Sequence, residues 1–96
     1  MRIFQTLSEM AACVGQDVAT SPWITVTQQQ VNQFAEATGD HQWIHVDPER
    51  AKDGPFGGTI AHGYLTLSIG PMLAPQVMQA TGFSMGVNYG CGKVRF

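Results

Sequence analysis

Charge is scarce in this chain. Asp, Glu, Lys and Arg make up 12% of its 96 residues, about half the roughly 25% of an ordinary soluble domain. The net charge is −2, and the five Lys and Arg form no cluster. That excludes the basic stripe a nucleic-acid surface needs. Long apolar runs are also lacking: the most apolar stretch is broken by Gly and Pro and is too short to span a bilayer. The opening "MRIFQTLSEM" has no sustained apolar core and no small-residue cleavage site, so no signal peptide is expected. Cysteine is limited to Cys13 and Cys91, without metal-ligand spacing. Free thiols in a reducing cytosol are the expectation, and with them a cytoplasmic location.

What is present reads as one small α+β domain over residues 1–96. Ser8 is placed to cap a short helix in "EMAACV", with Gly15 just past its end. "SPWITVT" reads as a turn and a short strand. Thr27 suits the N-cap of "QQQVNQFAEAT", where Val31, Phe34, Ala35 and Thr38 share one helical face and Gly39 ends the helix in a left-handed turn. Asp47 and Pro48 read as the cap and first residue of a further short helix. "MGVNYG" and "KVRF" read as strands. From about His62 the spacing predicts a helix bent or broken near Pro71 or Pro75.

That last segment is physically awkward. From Ile60 to Met78 it has almost no polar face, with Leu65, Leu67, Ile69, Met72, Leu73, Val77 and Met78 pointing in most directions. A helix apolar all round must be wrapped by other structure, so it is expected to be the most buried element. Three short strand candidates are too few to wrap it. The rest of the sheet is expected from residues beyond Phe96, from a partner chain, or not at all.

Chemistry concentrates in "TGDHQWIHVDP", residues 38–48, which holds two acids, two histidines and a tryptophan. The longer stretch "FAEATGDHQWIHVDPERAKDGPFGGTIAHGYLTLS", residues 34–68, resembles the signature of the MaoC-like dehydratases, or R-specific enoyl-CoA hydratases. The resemblance is closest to the NodN-like branch, which "NYGCGKVRF" also resembles. It implies a hot-dog fold, an antiparallel sheet wrapped round one apolar helix, incomplete here at its C-terminal strands. It further implies fatty-acid metabolism, a homodimer, an acyl-CoA thioester as substrate, and no metal or separate cofactor. By position it implies Asp40 and His45 as the catalytic pair, and Gly63 as the source of a backbone N–H toward the thioester carbonyl.

The same residues make chemical sense on their own. Hydrating a trans-2-enoyl thioester requires an activated water at C3, a proton at C2, and stabilisation of charge on the thioester oxygen. A carboxylate and an imidazole gripping one water meet the first two needs. From one side of the substrate they deliver H and OH to the same face. Gly63 opens the apolar helix, where unpaired N–H groups meet the third need. Taken singly, Asp40 also suits a turn residue and His45 a packed histidine. Asp47 reads as a helix cap and His41 as a solvated neighbour. His62 either orients the Gly63 turn or fills space. Trp43 and Phe56 line an acyl pocket or serve the core. Lys93 and Arg95 fit the wet face of a strand or CoA phosphates. Two alternatives to the hydratase stand beside it: a non-catalytic hot-dog subunit that binds acyl-CoA or pairs with a complete partner, and an acyl-CoA thioesterase.

Overall fold

The computed structural model describes residues 1–96. It is α+β, and its elements fall into two compact units, residues 23–69 and residues 1–22 with 70–96.

The first unit is helical and is held by local signals. Helix α2 spans Gln28–Thr38. Thr27 accepts from the Gln30 backbone N–H, and the Gln30 side chain accepts from the Thr27 N–H at 2.8 Å. This reciprocal pair satisfies two amides that the helix leaves unbonded. Val31 and Ala35 are buried on the inner face, Ala35 completely. Gly39 ends the helix at φ 83°, a left-handed conformation that L side chains enter at a cost. Two single-turn helices follow, α3 at Trp43–Val46 and α4 at Pro48–Ala51. The Asp47 side chain caps α4 by accepting from the Arg50 N–H at 3.1 Å, and Pro48 stands at its first position. Helix α5 covers Gly63–Ser68.

In the second unit, strand β1 (Arg2–Phe4) precedes helix α1 (Leu7–Ala11). Helix α6 (Gly70–Val77) runs into strand β2 (Met78–Ala80). The two strands pair in parallel, Ile3 opposite Gln79. Phe4 is the buried centre, 2% exposed. Beyond β2, the Thr81 N–H donates to the Phe4 carbonyl at 2.8 Å. The chain then passes so close to Gln5 that a Cβ on Gly82 would collide with the Gln5 carbonyl oxygen. Glycine is required there by space rather than by φ.

Several expectations are corrected. The cap of α1 is Thr6, which accepts from the Glu9 N–H at 3.2 Å, two residues before Ser8. The apolar segment is interrupted at Ile69, before either proline. Pro71 falls in the first turn of α6, where its missing N–H costs nothing, and Pro75 lies inside that helix. Neither α5 nor α6 contains a buried residue, so the segment expected to be the most buried is not. This chain's own residues do not cover it. The sheet is a single parallel pair rather than an antiparallel sheet, and residues 22–27 and 85–96 form no strand. A strand holds its shape through ladder bonds to neighbours, and these segments have none. β1 and β2 carry no alternating pattern that marks them in the sequence.

Candidate active site

The sequence cluster becomes a site through helix ends and side-chain anchors, all within residues 23–69. The left-handed turn at Gly39 stops α2 and delivers Asp40 as the next residue. The Asp40 N–H donates to Thr38 Oγ1 at 3.4 Å, and Asp40 Oδ1 accepts from the Gln42 N–H at 3.3 Å. The carboxylate is thereby aimed by its own loop while staying exposed.

His45 sits in α3 and is 7% exposed. Its Nδ1 lies 2.7 Å from the Ile60 carbonyl oxygen. A carbonyl only accepts, so Nδ1 carries the proton and Nε2 of the neutral ring is left with its lone pair. The backbone is held as well. Gln28 Nε2 donates to the His45 carbonyl at 2.7 Å, while Thr59 Oγ1 donates to Gln28 Oε1 at 2.6 Å. The Ile60 N–H donates to the Ile44 carbonyl at 3.0 Å. Gln28 thus ties the start of α2 to α3 and to the segment before α5. Nothing in the sequence singles it out, since it reads as one glutamine among three at a helix start.

His62 is the third member. It is 2% exposed, and its Nε2 donates to the Asp40 backbone carbonyl at 2.9 Å. Its ring stacks on His45, centroids 3.9 Å apart with 24° between planes, and meets Phe34 at a tilt, 4.9 Å and 54°. Its Nδ1 is buried with no hydrogen-bond partner. One nitrogen from each histidine and an Asp40 carboxylate oxygen all lie within 4.8 Å of one another. The composition is that of a metal site, but the stacking disfavours it. An imidazole holds its metal near the ring plane, and an ion shared by two nearly parallel faces 3.9 Å apart would lie far off both planes.

Gly63 directly follows His62 as the first residue of α5. The structure therefore brings together Asp40, His45 and His62, with Gly63 at their edge. Trp43 lies under the Arg50 guanidinium at 4.2 Å and packs so tightly on Gly54 that a Cβ there would stand 3.1 Å from the indole. Phe56 is 58% exposed. His41 Nδ1 faces Glu36 at 3.7 Å on the surface.

A carboxylate within 4.8 Å of a tautomer-fixed imidazole is proton-transfer equipment. The family model described as MaoC-like domain matches residues 9–96. The chain belongs to the MaoC-like domain family. Its relatives support the same placement. A protein named 3-hydroxyacyl-thioester dehydratase Z, from Mycobacterium tuberculosis (strain CDC 1551 / Oshkosh), is 55% identical over 96 residues, all of this chain and 64% of that protein. Nodulation protein N of Rhizobium meliloti (strain 1021) is 49% identical over 96 residues, 95% of this chain and 58% of the relative. Protein MaoC of Klebsiella aerogenes is 31% identical over 80 residues, 83% of this chain and 23% of the relative. The chain thus spans less than two thirds of the length of these curated relatives. The expected resemblance to MaoC-like and NodN-like proteins holds. No helix of this MaoC-like chain is long and apolar enough to cross a membrane.

Proposed function

We propose that the whole protein is a hydro-lyase that reversibly adds water to a trans-2-enoyl-CoA and yields the (R)-3-hydroxyacyl-CoA. The observation that carries this reading is the Asp40–His45 pair, with a carboxylate oxygen and an imidazole nitrogen within 4.8 Å. The His45 tautomer, fixed by the Ile60 carbonyl, supports a division of labour. His45 Nε2 is the base. It takes a proton from water as the water oxygen bonds to C3 and the C2–C3 π bond opens. That proton reaches C2 by way of the Asp40 carboxylate, which takes it from His45 and releases it, so both groups end as they began and the net change is one water added. Both groups act from one side, which makes the addition syn. The backbone N–H of Gly63 serves the thioester oxygen as charge develops there.

In this reading His62, Trp43 and Phe56 belong to the substrate side of the site, and the substrate itself is the only coenzyme A compound required. A dehydratase name on a relative 55% identical supports thioester chemistry of this type. The complete protein would have the hot-dog fold, an antiparallel sheet closing over the apolar segment that begins at α5, and would act as a cytoplasmic homodimer. The exposed apolar residues Leu67 and Met72 on α5 and α6 support such a cover.

The test is hydration of crotonyl-CoA by the full-length native protein, followed as loss of enoyl-thioester absorbance with chiral analysis of the product. The (R)-alcohol is expected. An (S)-product, or release of free coenzyme A in its place, would overturn the reading.

A further inference from the structure

His62 has almost no surface to offer a substrate. It is 2% exposed, and its Nδ1 is buried without a hydrogen-bond partner. A ring kept there only to fill space would be better apolar, because an unmatched buried nitrogen costs free energy. What histidine supplies and phenylalanine cannot is the Nε2 proton, donated to the Asp40 carbonyl at 2.9 Å. That bond is the shortest one holding Asp40. The others, at 3.4 Å to Thr38 and 3.3 Å from Gln42, come from its own loop. The face of the same ring stacks on His45 with centroids 3.9 Å apart, and Phe34 of α2 meets it at 4.9 Å. One rigid ring therefore touches both the Asp40 backbone and the His45 imidazole.

We infer that His62 is a positioning residue, which fixes the spacing of the Asp40 carboxylate from His45 through the Asp40 backbone. This rests on the hydration reading above. A carboxylate and an imidazole that serve one reactant must be held apart as well as together. Left loose, such groups close into a direct hydrogen bond of about 2.7–2.9 Å, which leaves no room for a reactant. Here they stand within 4.8 Å of one another, and the carboxylate accepts from the Gln42 N–H and not from His45. His45 has anchors of its own, the Ile60 carbonyl at Nδ1 and Gln28 at its backbone carbonyl. Asp40 is exposed, and its one bond from outside residues 38–42 is the bond from His62. The spacing of the pair therefore depends on that bond. His62 acts through its neighbours and neither takes up nor releases a proton, so the atom balance of the hydration is unchanged.

Two variants separate this role from simple space-filling. His62→Phe keeps a ring to stack on His45 and removes the Nε2 donor. His62→Gln sets an amide nitrogen at the place of Nε2, so the bond to the Asp40 carbonyl is kept and the ring is lost. With the native full-length protein and crotonyl-CoA, His62→Phe is expected to lower kcat roughly 10- to 100-fold, the scale of a misplaced reacting group, with KM within about twofold. Its thermal unfolding should stay near that of wild type, because the lost bond is offset by removal of the unmatched Nδ1. His62→Gln is expected to recover the greater share of kcat. In an Asp40→Asn background, His62→Phe should cost less than about twofold more, since its effect runs through Asp40. Wild-type kcat in the Phe variant, a Gln variant no better than Phe, or the same full loss in the Asp40→Asn background would overturn the inference and leave the hydratase reading intact. Should the variants lose their fold, nitrogen-15 NMR of the wild-type protein decides. A His62 Nε2 that carries a proton and couples to the Asp40 carbonyl carbon is expected, and an unprotonated Nε2 would overturn the inference. A native protein inert toward crotonyl-CoA would instead overturn the reaction assignment. The crystal structure of His62→Phe then still decides the spacing, which is expected to change and which, if unchanged, overturns the inference.

Discussion

His62 and Asp40 are joined through a backbone carbonyl rather than through the carboxylate: Nε2 of the histidine donates to the Asp40 oxygen at 2.9 Å across 22 residues of chain. The bond makes no use of the Asp40 carboxylate and holds the Asp40 backbone beside the ring that stacks on His45. Two histidines and one aspartate are thus positioned relative to one another without consuming any of the groups that chemistry requires. The predictions below start from that arrangement.

Asp40→Asn is expected to lower crotonyl-CoA hydration by about 10²- to 10⁴-fold, the usual cost of deleting a proton-transfer group. The fold should persist. Asp40 is exposed, and an Asn oxygen can still accept from the Gln42 N–H. Circular dichroism and thermal unfolding alongside the assay check this. His41→Gln is the neighbouring control and should change little, since His41 meets only Glu36 on the surface.

His45→Gln should lose activity to a similar degree and lose stability as well. His45 is buried, and its Nδ1–H satisfies the Ile60 carbonyl. The glutamine amide takes the place of Nε2, not Nδ1, so that bond is lost. A destabilisation of about 1–3 kcal/mol is expected from the unmatched carbonyl, read in chemical denaturation. The Asp40→Asn, His45→Gln double variant should lose much less activity than the product of the single losses, because the pair acts on one water as a unit.

Gln28→Ala removes one side chain that accepts from Thr59 and donates to the His45 carbonyl. The expected result is a loss of about 1–3 kcal/mol in stability. The loss of turnover should be smaller than for His45→Gln, because the base survives but is less well held. Turnover equal to wild type with stability unchanged would show that this bridge has no part in holding α3.

Gly39→Ala places a Cβ in a left-handed conformation at φ 83°. The strain is worth about 1–2 kcal/mol. Because Asp40 is the next residue, any backbone adjustment that relieves the strain moves the carboxylate. Activity should therefore fall further than the drop in unfolding temperature alone explains. Equal activity at equal folded fraction would count against this coupling.

The 96-residue chain by itself should associate as its concentration rises. Trp23, Phe83, Met85, Val87 and Tyr89 are all exposed, while the buried apolar residues number only Phe4, Val31, Ala35 and Ala51. A core this small balances little conformational entropy, and the exposed apolar surface invites association. Light scattering coupled to size exclusion, run over a concentration series, gives the result. A monodisperse monomer that unfolds cooperatively would contradict it.

Sequence by itself determined the punctuation of this protein. The Thr27 cap, the Gly39 stop, and Asp47 with Pro48 were all legible, because each acts over one to three residues and depends only on local backbone geometry. Asp40 and His45 stood out through the resemblance carried by residues 34–68, since each taken singly also suits a turn residue or a packed histidine. Thr6 rather than Ser8 as a cap shows the resolution limit of such signals. Tertiary structure alone decided the rest. Extended segments at 22–27 and 85–96 have strand-like composition yet form no strand, because a strand is completed by partners and not by its own residues. The parallel pairing of Arg2–Phe4 with Met78–Ala80 joins opposite ends of the chain and leaves no local pattern to read. His62, Gln28 and the Ile60 carbonyl reach the site over 15 to 31 residues. Which nitrogen of each histidine keeps its lone pair follows from which carbonyl the folded chain sets beside the other, and no linear spacing contains that.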